Sequence, residues 1–360
     1  MKLGLVGLPN AGKTTVFNAL THAHALATAY AYSAAETNHG VVPVPDERLD
    51  RLHAAFQTPQ CVHATIDVVD IPGLASGSVK AEGLGTRFLA DIRGVDAIAH
   101  VVRAFHNPEV AFARSAIDPL ADVQDVETEL ILSDLEQVER RREKTGKAAR
   151  SGDKAAQKEM AVLDRVAAAL GEGGTARSVE RGKEEEALFR DLALLTERPV
   201  LFVLNADEEH LGEGDDLVAF ARSRGDEVVA LPAKLEVELA ELEPDEATEF
   251  RTELGVPAGG VEALIAACYR VLGYITFFTG DFKSSESRAW QLPEGATAWQ
   301  AAGRIHGDIQ KGFVRAEVVP VEEAVSCESF AHARDKGVLR VEGKDYVVRD
   351  GDVIHFRHTA

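Results

Sequence analysis

The chain is poor in cysteine, aromatic residues and basic side chains. Its three cysteines, Cys61, Cys268 and Cys327, share no close spacing in 360 residues, which disfavours both a disulfide framework and a cysteine-based zinc site. There are 39 Lys and Arg against 59 Asp and Glu, a formal net charge of −20. Because nucleic acid is attracted to basic surfaces, this balance argues against indiscriminate nucleic-acid binding and leaves only a local basic patch for that purpose.

Long apolar runs are also missing. No run approaches the ~20 residues of a membrane span, and the first strand pattern begins almost at residue 1, so we expect no signal peptide. The sequence predicts a cytoplasmic protein without a membrane partner. Hydrophobic residues make up 45% of the chain, which is ample for packed cores, and the length suggests two or three domains.

The most specific feature that is present is a phosphate-binding motif. Residues 7–14 read GLPNAGKT and fit G-x-x-x-x-G-K-[ST], the P-loop, with a strand pattern before it and a helix pattern after it. The glycines allow backbone N–H groups to surround phosphate oxygens, and the helix N-terminus adds positive potential. We expect Lys13 to reach the β- and γ-phosphates and the Thr14 hydroxyl to bind Mg²⁺.

A second motif, D-x-x-G, follows about 55 residues after the P-loop. Asp70 and Gly73 occupy its first and last positions, at the end of the predicted strand 66–70. We expect Asp70 to hold Mg²⁺ through water and the Gly73 N–H to sense the γ-phosphate.

A third motif lies at the predicted base end of the site. The strand 200–204 is followed by Asn205, Ala206, Asp207 and Glu208, where GTPases carry N-K-x-D. The longer Glu208 side chain places its oxygens differently, so guanine recognition is relaxed and adenine becomes acceptable. An alternative is that Asn205 only caps the strand. Ala233, after the strand 227–231, is expected to place a backbone amide near the base.

Periodicity divides the chain into three domains. Alternating strand and helix patterns predict an α/β nucleotide-binding domain over 1–121 and 198–275, with an inserted helical domain at 122–197. Short strands and turns predict an α+β module at 276–360, including a hairpin in which residues 346–348 precede an Asp350-Gly351 turn.

The inserted domain is expected to be an antiparallel helical hairpin, with its tip at 146–153. One of its helices carries an apolar seam at spacings of three and four, formed by Ala156, Met160, Leu163, Ala167 and Leu170. A basic cluster surrounds the tip and is either a solvated helix end or an RNA contact. Its members are Arg140, Arg141, Arg142, Lys144, Lys147, Arg150, Lys154 and Lys158.

With these motifs, the chain resembles the YchF / Obg-like ATPase family over nearly its whole length. Further matches are GVVPVPD at 40–46, RAW at 288–290 and QAAGRIH at 300–306. The resemblance implies an α/β P-loop NTPase G domain with an inserted helical hairpin and a C-terminal TGS domain. It also implies a preference for ATP over GTP, association with the ribosome and its rRNA through the helical and TGS domains, and a role in translation or stress regulation. The implied nucleotide-binding residues are Asn10, Ala11, Gly12, Lys13, Thr14, Thr15, Gly73, Asn205, Ala206, Glu208 and Ala233.

The sequence departs from the family pattern at residues that bear on hydrolysis. Lys13 and Asn10 are the expected catalytic residues, Asn10 matching a P-loop asparagine that helps hold K⁺ in related NTPases. Leu74 stands where Ras-like switches have a water-orienting glutamine, which predicts slow hydrolysis. Ala34 and Phe112 replace a magnesium-binding threonine and a histidine of the family. The alternatives are therefore a nucleotide-binding switch with little or no turnover, or a GTPase.

Overall fold

The structure is a computed structural model that describes residues 2–22, 38–72, 86–108, 110, 116–211, 214–281, 284–327 and 329–359. It divides into two compact units, Met1–Gly40 with Asp67–Cys268, and Val41–Ile66 with Tyr269–Ala360. No helix in the described ranges is both long and apolar enough to cross a bilayer.

The described residues form strands that belong to two sheets. In chain order they are β1 (Lys2–Val6), β2 (Asn38–Pro43), β3 (Gln60–Val62), β4 (Thr65–Asp70), β5 (Ala97–Arg103), β6 (Val200–Asn205), β7 (Glu227–Leu231), β8 (Tyr274–Thr279), β9 (Glu286–Pro293), β10 (Phe313–Pro320), β11 (Arg340–Glu342) and β12 (Asp352–His358).

Helices connect and cover these strands. They are α1 (Lys13–His22), α2 (Glu47–Phe56), α3 (Thr86–Arg93), α4 (Pro119–Arg150), α5 (Lys154–Gly171), α6 (Glu186–Leu192), α7 (Asp215–Arg224), α8 (Ala233–Leu239), α9 (Pro244–Leu254), α10 (Gly260–Val271), α11 (Ala298–Ile305), α12 (Gly307–Lys311), α13 (Val321–Cys327) and α14 (Phe330–Asp335).

The first unit is built around a sheet of order β2-β4-β1-β5-β6-β7. The pairs β1–β4, β1–β5, β5–β6 and β6–β7 are all parallel. Every residue of β5 is buried, as expected for a central parallel strand covered on both faces. The five apolar runs that predict strands in this region, before the P-loop and at 66–70, 97–102, 200–204 and 227–231, are confirmed as β1, β4, β5, β6 and β7. Their carboxyl ends meet at one edge of the sheet, where α/β folds bind ligands.

The inserted helices form an antiparallel hairpin with a tighter tip than predicted. The helix α4 continues through Gly146 to Arg150, so the predicted loop at 146–153 is too long, and only Ser151–Asp153 separate α4 from α5. Two alanines beside Gly146 favour the helix and offset the cost of one glycine, about 1 kcal/mol. The Asp153 carboxylate ends the turn by accepting hydrogen bonds from the first N–H groups of α5.

The second unit contains a mixed sheet of order β11-β10-β12-β8-β9-β3. The prediction placed residues 41–66 with the nucleotide-binding domain, but here β3 is the edge strand beside β9 and pairs with it in parallel. At the sheet's other side, Glu317 is buried on β10 and its carboxylate accepts hydrogen bonds from the guanidinium groups of Arg334 and Arg357. Because a buried carboxylate needs such partners, these two guanidinium groups compensate the buried charge of Glu317.

The predicted C-terminal hairpin is wrong in its pairing. The turn exists, since the Asp352 N–H donates to the Arg349 carbonyl at 3.1 Å and Gly351 has φ of 85°. However, β12 pairs with β10 and β8, and Val347 instead makes an isolated bridge to Thr297. With both of its edges occupied, β12 has no free edge for residues 346–348.

Candidate nucleotide-binding site

The loop between β1 and α1 has the backbone conformation of a phosphate-binding turn. Gly12 has φ of 90°, and a Cβ placed there would lie 2.1 Å from Nδ2 of Asn205. A Cβ on Gly7 would lie 2.3 Å from the carbonyl oxygen of Val101. Asn10 has φ of 63°, in the left-handed region that asparagine tolerates better than most residues. The sequence of this turn is therefore dictated by space as well as by conformation.

Lys13 begins α1 and is almost completely buried. Its Nζ donates to the carbonyl oxygens of Gly7 at 3.1 Å and Leu8 at 3.0 Å. Burial lowers the pKa of Lys13 to about 8, although the negative charge of Asp70 opposes the shift. The charged form of a desolvated ammonium is stabilised by a nearby negative charge. A bound polyphosphate would supply that charge to Lys13.

Thr14 and Asp70 lie together at the predicted metal position. The Thr14 hydroxyl donates to Oδ2 of Asp70 at 2.9 Å, and the Asn38 amide approaches the same oxygen at 3.5 Å. A hydroxyl and a carboxylate at the end of a buried strand are the hard oxygen donors that Mg²⁺ prefers, so these residues fit the ion. Asn38 was not predicted as a site residue.

Asn205 connects the phosphate loop to the predicted base end. The side chain is buried, its Nδ2 donates to the Ala11 carbonyl at 3.0 Å, and its Oδ1 accepts from the Ala233 N–H at 3.4 Å. Asn205 therefore joins the P-loop to the start of α8 in addition to ending β6. The buried Ala206 N–H donates to the Leu231 carbonyl at 3.2 Å, which aligns the ends of β6 and β7.

Glu208 is held less firmly than Asn205. It begins a 3₁₀ turn, Glu208–His210, and is half-buried. In the part of the chain that the structure describes, its carboxylate accepts no hydrogen bond. It is therefore available to a ligand, as the prediction requires, but the fold does not fix its rotamer.

Beside it lies a cluster of Asp207, His106 and His210 that sequence reasoning missed. The His106 N–H donates to Oδ2 of Asp207 at 2.9 Å, and the His210 ring hydrogen-bonds to Oδ1. Partial burial acts to raise the pKa of Asp207, but these two hydrogen bonds outweigh it and hold the pKa below its ordinary value. The third residue of the motif is thus an anchor for the loop after β5.

A buried histidine, His100, lies on β5 near the phosphate loop. Burial, with a smaller contribution from the charge of Lys13, lowers its pKa to about 3, so it is neutral. Its Nε2 has no hydrogen-bond partner within the described residues. It escaped prediction because it lies in a continuous apolar strand.

The remaining predicted residues lie partly inside and partly outside the described ranges. Thr15 is half-buried in the first turn of α1. Outside the described residues lie Gly73, Ala34, Leu74 and Phe112.

Comparisons with known proteins agree with this architecture. A family model described as a 50S ribosome-binding GTPase matches residues 2–147. A second, named for the C-terminal region of YchF GTPases and described as a protein of unknown function, matches residues 274–359.

Full-length relatives are also found. The ribosome-binding ATPase YchF of Haemophilus ducreyi is 42% identical over 359 residues, covering 99% of this chain and 98% of that protein. The protein of the same name from Bacillus subtilis is 42% identical over 360 residues, with 98% of each chain covered. Among solved structures, the Schizosaccharomyces pombe YchF GTPase superposes with a TM-score of 0.87 at 31% identity, covering 99% of this chain and 97% of that one. These names differ in the nucleotide, ATP or GTP, that they give to the relatives.

Proposed function

The chain belongs to the YchF family, and from this premise we propose that it is a ribosome-associated P-loop NTPase that binds ATP with Mg²⁺ and hydrolyses it slowly. The observation that carries the proposal is the preformed phosphate end of the site. There Lys13 is desolvated beside the loop, and the Thr14 hydroxyl is 2.9 Å from Asp70. These groups need no large rearrangement to receive a triphosphate.

Each residue of the phosphate end has a role in this proposal. The N–H groups of the loop from Asn10 to Thr15 bind phosphate oxygens, and Lys13 neutralises the β- and γ-phosphates. Thr14 and Asp70 would hold the magnesium ion, Asp70 through water. When bound, Mg²⁺ supplies charge neutralisation to the phosphates in the transition state. Gly73 is proposed to donate its N–H to the γ-phosphate.

Slow turnover is expected because the residues at two positions that could activate water have no polar side chain. Leu74 cannot orient water by hydrogen bonding, and Phe112 cannot relay a proton. We propose that Asn10 helps to hold a K⁺ ion, which would neutralise transition-state charge in place of an arginine finger. Ala34 has no oxygen for the metal, so switching by the triphosphate is expected to differ from that of Ras-like GTPases.

ATP is the proposed nucleotide because of the base end. In N-K-x-D proteins the aspartate accepts two hydrogen bonds from guanine, whereas here Glu208 is longer and half-buried and Ala206 replaces the lysine. A site that loses paired acceptors for guanine loses most of its discrimination against adenine. Asn205 and Ala233 complete the surroundings of the base.

Hydrolysis is tested by measuring phosphate release from the purified chain with ATP and with GTP, each with and without K⁺ and ribosomes. The expected result is slow ATP turnover that rises with ribosomes or K⁺ and disappears in Lys13→Ala. Tight nucleotide binding with no turnover in any condition would favour the second candidate, a nucleotide-binding switch, for which Leu74, Ala34 and Phe112 argue. A strong GTP preference would instead identify a GTPase.

The proposed ribosome contact includes the tip of the helical hairpin. Its arginines and lysines differ in their contacts. Arg140 pairs with Glu136 at 3.3 Å, and Arg150 donates to the Gly146 carbonyl at 3.0 Å. Arg141 is paired with Glu159 at 2.6 Å and Arg142 with Asp164 at 2.6 Å, so these arginines stabilise the hairpin. The lysines are exposed and form no ion pair with any described residue; they are Lys144, Lys147, Lys154 and Lys158. Four unpaired cations beside one turn form a surface that can bind RNA phosphates.

The contact is tested with Lys147→Glu/Lys154→Glu, which leaves the arginine pairs intact. We expect weaker co-sedimentation with ribosomes and a salt dependence that is lower by roughly one unit of slope per lysine. The matched control is Lys183→Glu/Arg222→Glu, which makes the same charge change at two exposed residues away from the tip. If both doubles weaken binding equally, the effect is one of net charge and the hairpin tip is not the contact.

A further inference from the structure

A cluster of three metal-binding side chains lies in the second unit, apart from the nucleotide site. Cys61 lies on the edge strand β3 and His63 follows directly after its last residue, Val62. The two are two residues apart in an extended segment, so their side chains share one face. Asp50 faces them from α2. The Cys61 sulfur is 3.7 Å from Oδ1 of Asp50 and 3.9 Å from Nε2 of His63, and the same Nε2 is 3.4 Å from Oδ1.

These separations match those between ligands of a tetrahedral zinc ion. Zinc bonds of about 2.3 Å to sulfur and about 2.0–2.2 Å to nitrogen and oxygen place neighbouring ligand atoms roughly 3.3–3.6 Å apart. The cluster therefore needs contractions of only a few tenths of an ångström. Thiolate, imidazole and carboxylate are also the donor set that zinc accepts.

The orientation of His63 is a second, independent observation. Its Nδ1 lies 3.2 Å from the carbonyl oxygen of Val44, and an acceptor there requires Nδ1 to carry the hydrogen. The lone pair is then on Nε2, which is the atom that faces Cys61 and Asp50. Val44 is itself fixed, since its N–H donates to the Ala64 carbonyl at 2.7 Å. A backbone acceptor that sets the tautomer of a ligating histidine is the usual outer shell of a zinc site.

We propose that Asp50, Cys61 and His63 bind one Zn²⁺ and leave its fourth coordination position to water. Within the described residues the cluster has no fourth acidic, histidine or cysteine member. The three side chains are partly exposed, so the ion can enter from solvent. Binding releases the Cys61 thiol proton to solvent and forms the zinc–thiolate bond. The ion would link α2 to the edge strand of the sheet.

The spacing of the cysteines disfavours a zinc site built from several of them, but this cluster contains only one cysteine. The cluster of His106, Asp207 and His210 is the other candidate. There, however, both Asp207 oxygens already accept hydrogen bonds, from the His106 backbone and the His210 ring. The two clusters are distinguished by mutation.

The experiment is a zinc titration of the full-length, reduced, metal-free chain in competition with a chromophoric chelator. We expect one tightly bound zinc ion per chain. Its affinity should be lower by at least about 100-fold in Cys61→Ala and in His63→Ala, because losing a direct ligand should cost at least as much as losing an outer-shell partner, which costs up to about 100-fold. Asp50→Asn keeps the shape of the side chain and is expected to weaken binding. Cobalt in place of zinc should give a thiolate charge-transfer band that requires Cys61.

Matched controls come from the same chain. Cys327→Ala removes a buried cysteine and His39→Ala an exposed histidine; both should bind zinc as the unaltered chain does. His210→Ala should also have no effect. If Cys61→Ala fails to fold, a zinc-dependent rise in Tm that is present in the unaltered chain and absent in Asp50→Asn decides the question. Weak binding that is equal in all variants, or one tight zinc that only His210→Ala removes, would overturn the proposal. ATP turnover tests the proposed function separately.

Discussion

The two ends of the nucleotide site are held by different kinds of atoms. At the phosphate end, the contacts come from main-chain groups of residues 7–14 and from the buried Lys13 and Asp70. At the base end, the fold fixes Asn205 through two hydrogen bonds, but Glu208 is half-buried and accepts no hydrogen bond from a described residue. The ends are 3.0 Å apart at one point, where the Asn205 amide donates to the Ala11 carbonyl.

In the proposed site, this difference would let the base end change its ligand while the phosphate end keeps its own. Backbone N–H donors are present whatever the side chain, so substitution at the phosphate end is limited by the space available. Because these donors contact only phosphates, this end would admit any nucleoside triphosphate. In the proposed site the base is selected by side-chain atoms, so one exchange of carboxylate length would alter specificity without disturbing the phosphates.

Gly12→Ala should break the phosphate end most completely. The added Cβ would lie 2.1 Å from Nδ2 of Asn205, and φ of 90° is unfavourable for alanine. We expect affinity for both ATP and GTP to fall by at least about 100-fold, or about 2.7 kcal/mol, in a binding titration. Gly225→Ala is the control, because Gly225 also has positive φ but no neighbour within 4 Å of the added Cβ.

Gly225→Ala should lose about 1–2 kcal/mol of unfolding free energy, because alanine is disfavoured at positive φ, and it should keep its nucleotide affinity. If Gly12→Ala keeps its nucleotide affinity as Gly225→Ala does, nucleotide binding does not require the close approach of Asn205 to Gly12. The phosphate end would then not be fixed by space.

Asn205→Ala should weaken both ends together. It leaves the buried Ala11 carbonyl and Ala233 N–H without their partner, which costs about 1–3 kcal/mol of unfolding free energy. Affinities for ATP and GTP should fall by similar factors, because Asn205 positions the loop that both share. Asn205→Asp retains the acceptor for Ala233 and loses the donor to Ala11, so chemical denaturation of the two variants separates the contributions. A loss confined to one nucleotide would assign Asn205 to base recognition alone.

The pH dependence of binding tests the charge of the phosphate end. Lys13 has a pKa of about 8 in the free chain, and a bound polyphosphate raises it, so binding takes up a proton above pH 8. Affinity for ATP should therefore fall by up to about tenfold per pH unit above this value. In Lys13→Arg, whose guanidinium stays protonated, calorimetry should show no proton uptake and no such decline.

Stability should change in the opposite direction. Because burial lowers the pKa of Lys13 below its ordinary 10.5, the unfolded chain binds more protons between about pH 8 and 10.5. The cost of burying the charge is therefore complete below pH 8 and is relieved as pH rises through that window. A nucleotide affinity that is constant from pH 7 to pH 10 would contradict a lowered pKa for the buried Lys13.

The same contrast sets the limit of prediction from sequence. The P-loop, Asp70 and the five parallel strands could be predicted, because glycine spacing and apolar runs follow directly from backbone geometry. His100 and the ring pair of His106 and His210, whose centroids are 4.4 Å apart, could not, since they depend on contacts between strands distant in sequence. Residues 41–66 read as part of the first α/β region, and only the pairing of β3 with β9 reveals their place in the second sheet.

Glu208→Asp should produce the smallest change and the most selective one. The shorter carboxylate moves the acceptor oxygens back towards the position that N-K-x-D proteins use for guanine, although Ala206 still lacks the lysine. We expect the ratio of GTP to ATP affinity to rise by up to about tenfold, or about 1.4 kcal/mol, with little change in the free energy of unfolding. Competition binding measures the ratio. Glu209→Asp, a neighbouring exposed position, should leave it unchanged. Because the phosphate contacts are common to both nucleotides, an equal fall in both affinities would mean that Glu208 positions the loop instead of reading the base, and the two ends of the site would then be coupled more tightly than their burial implies.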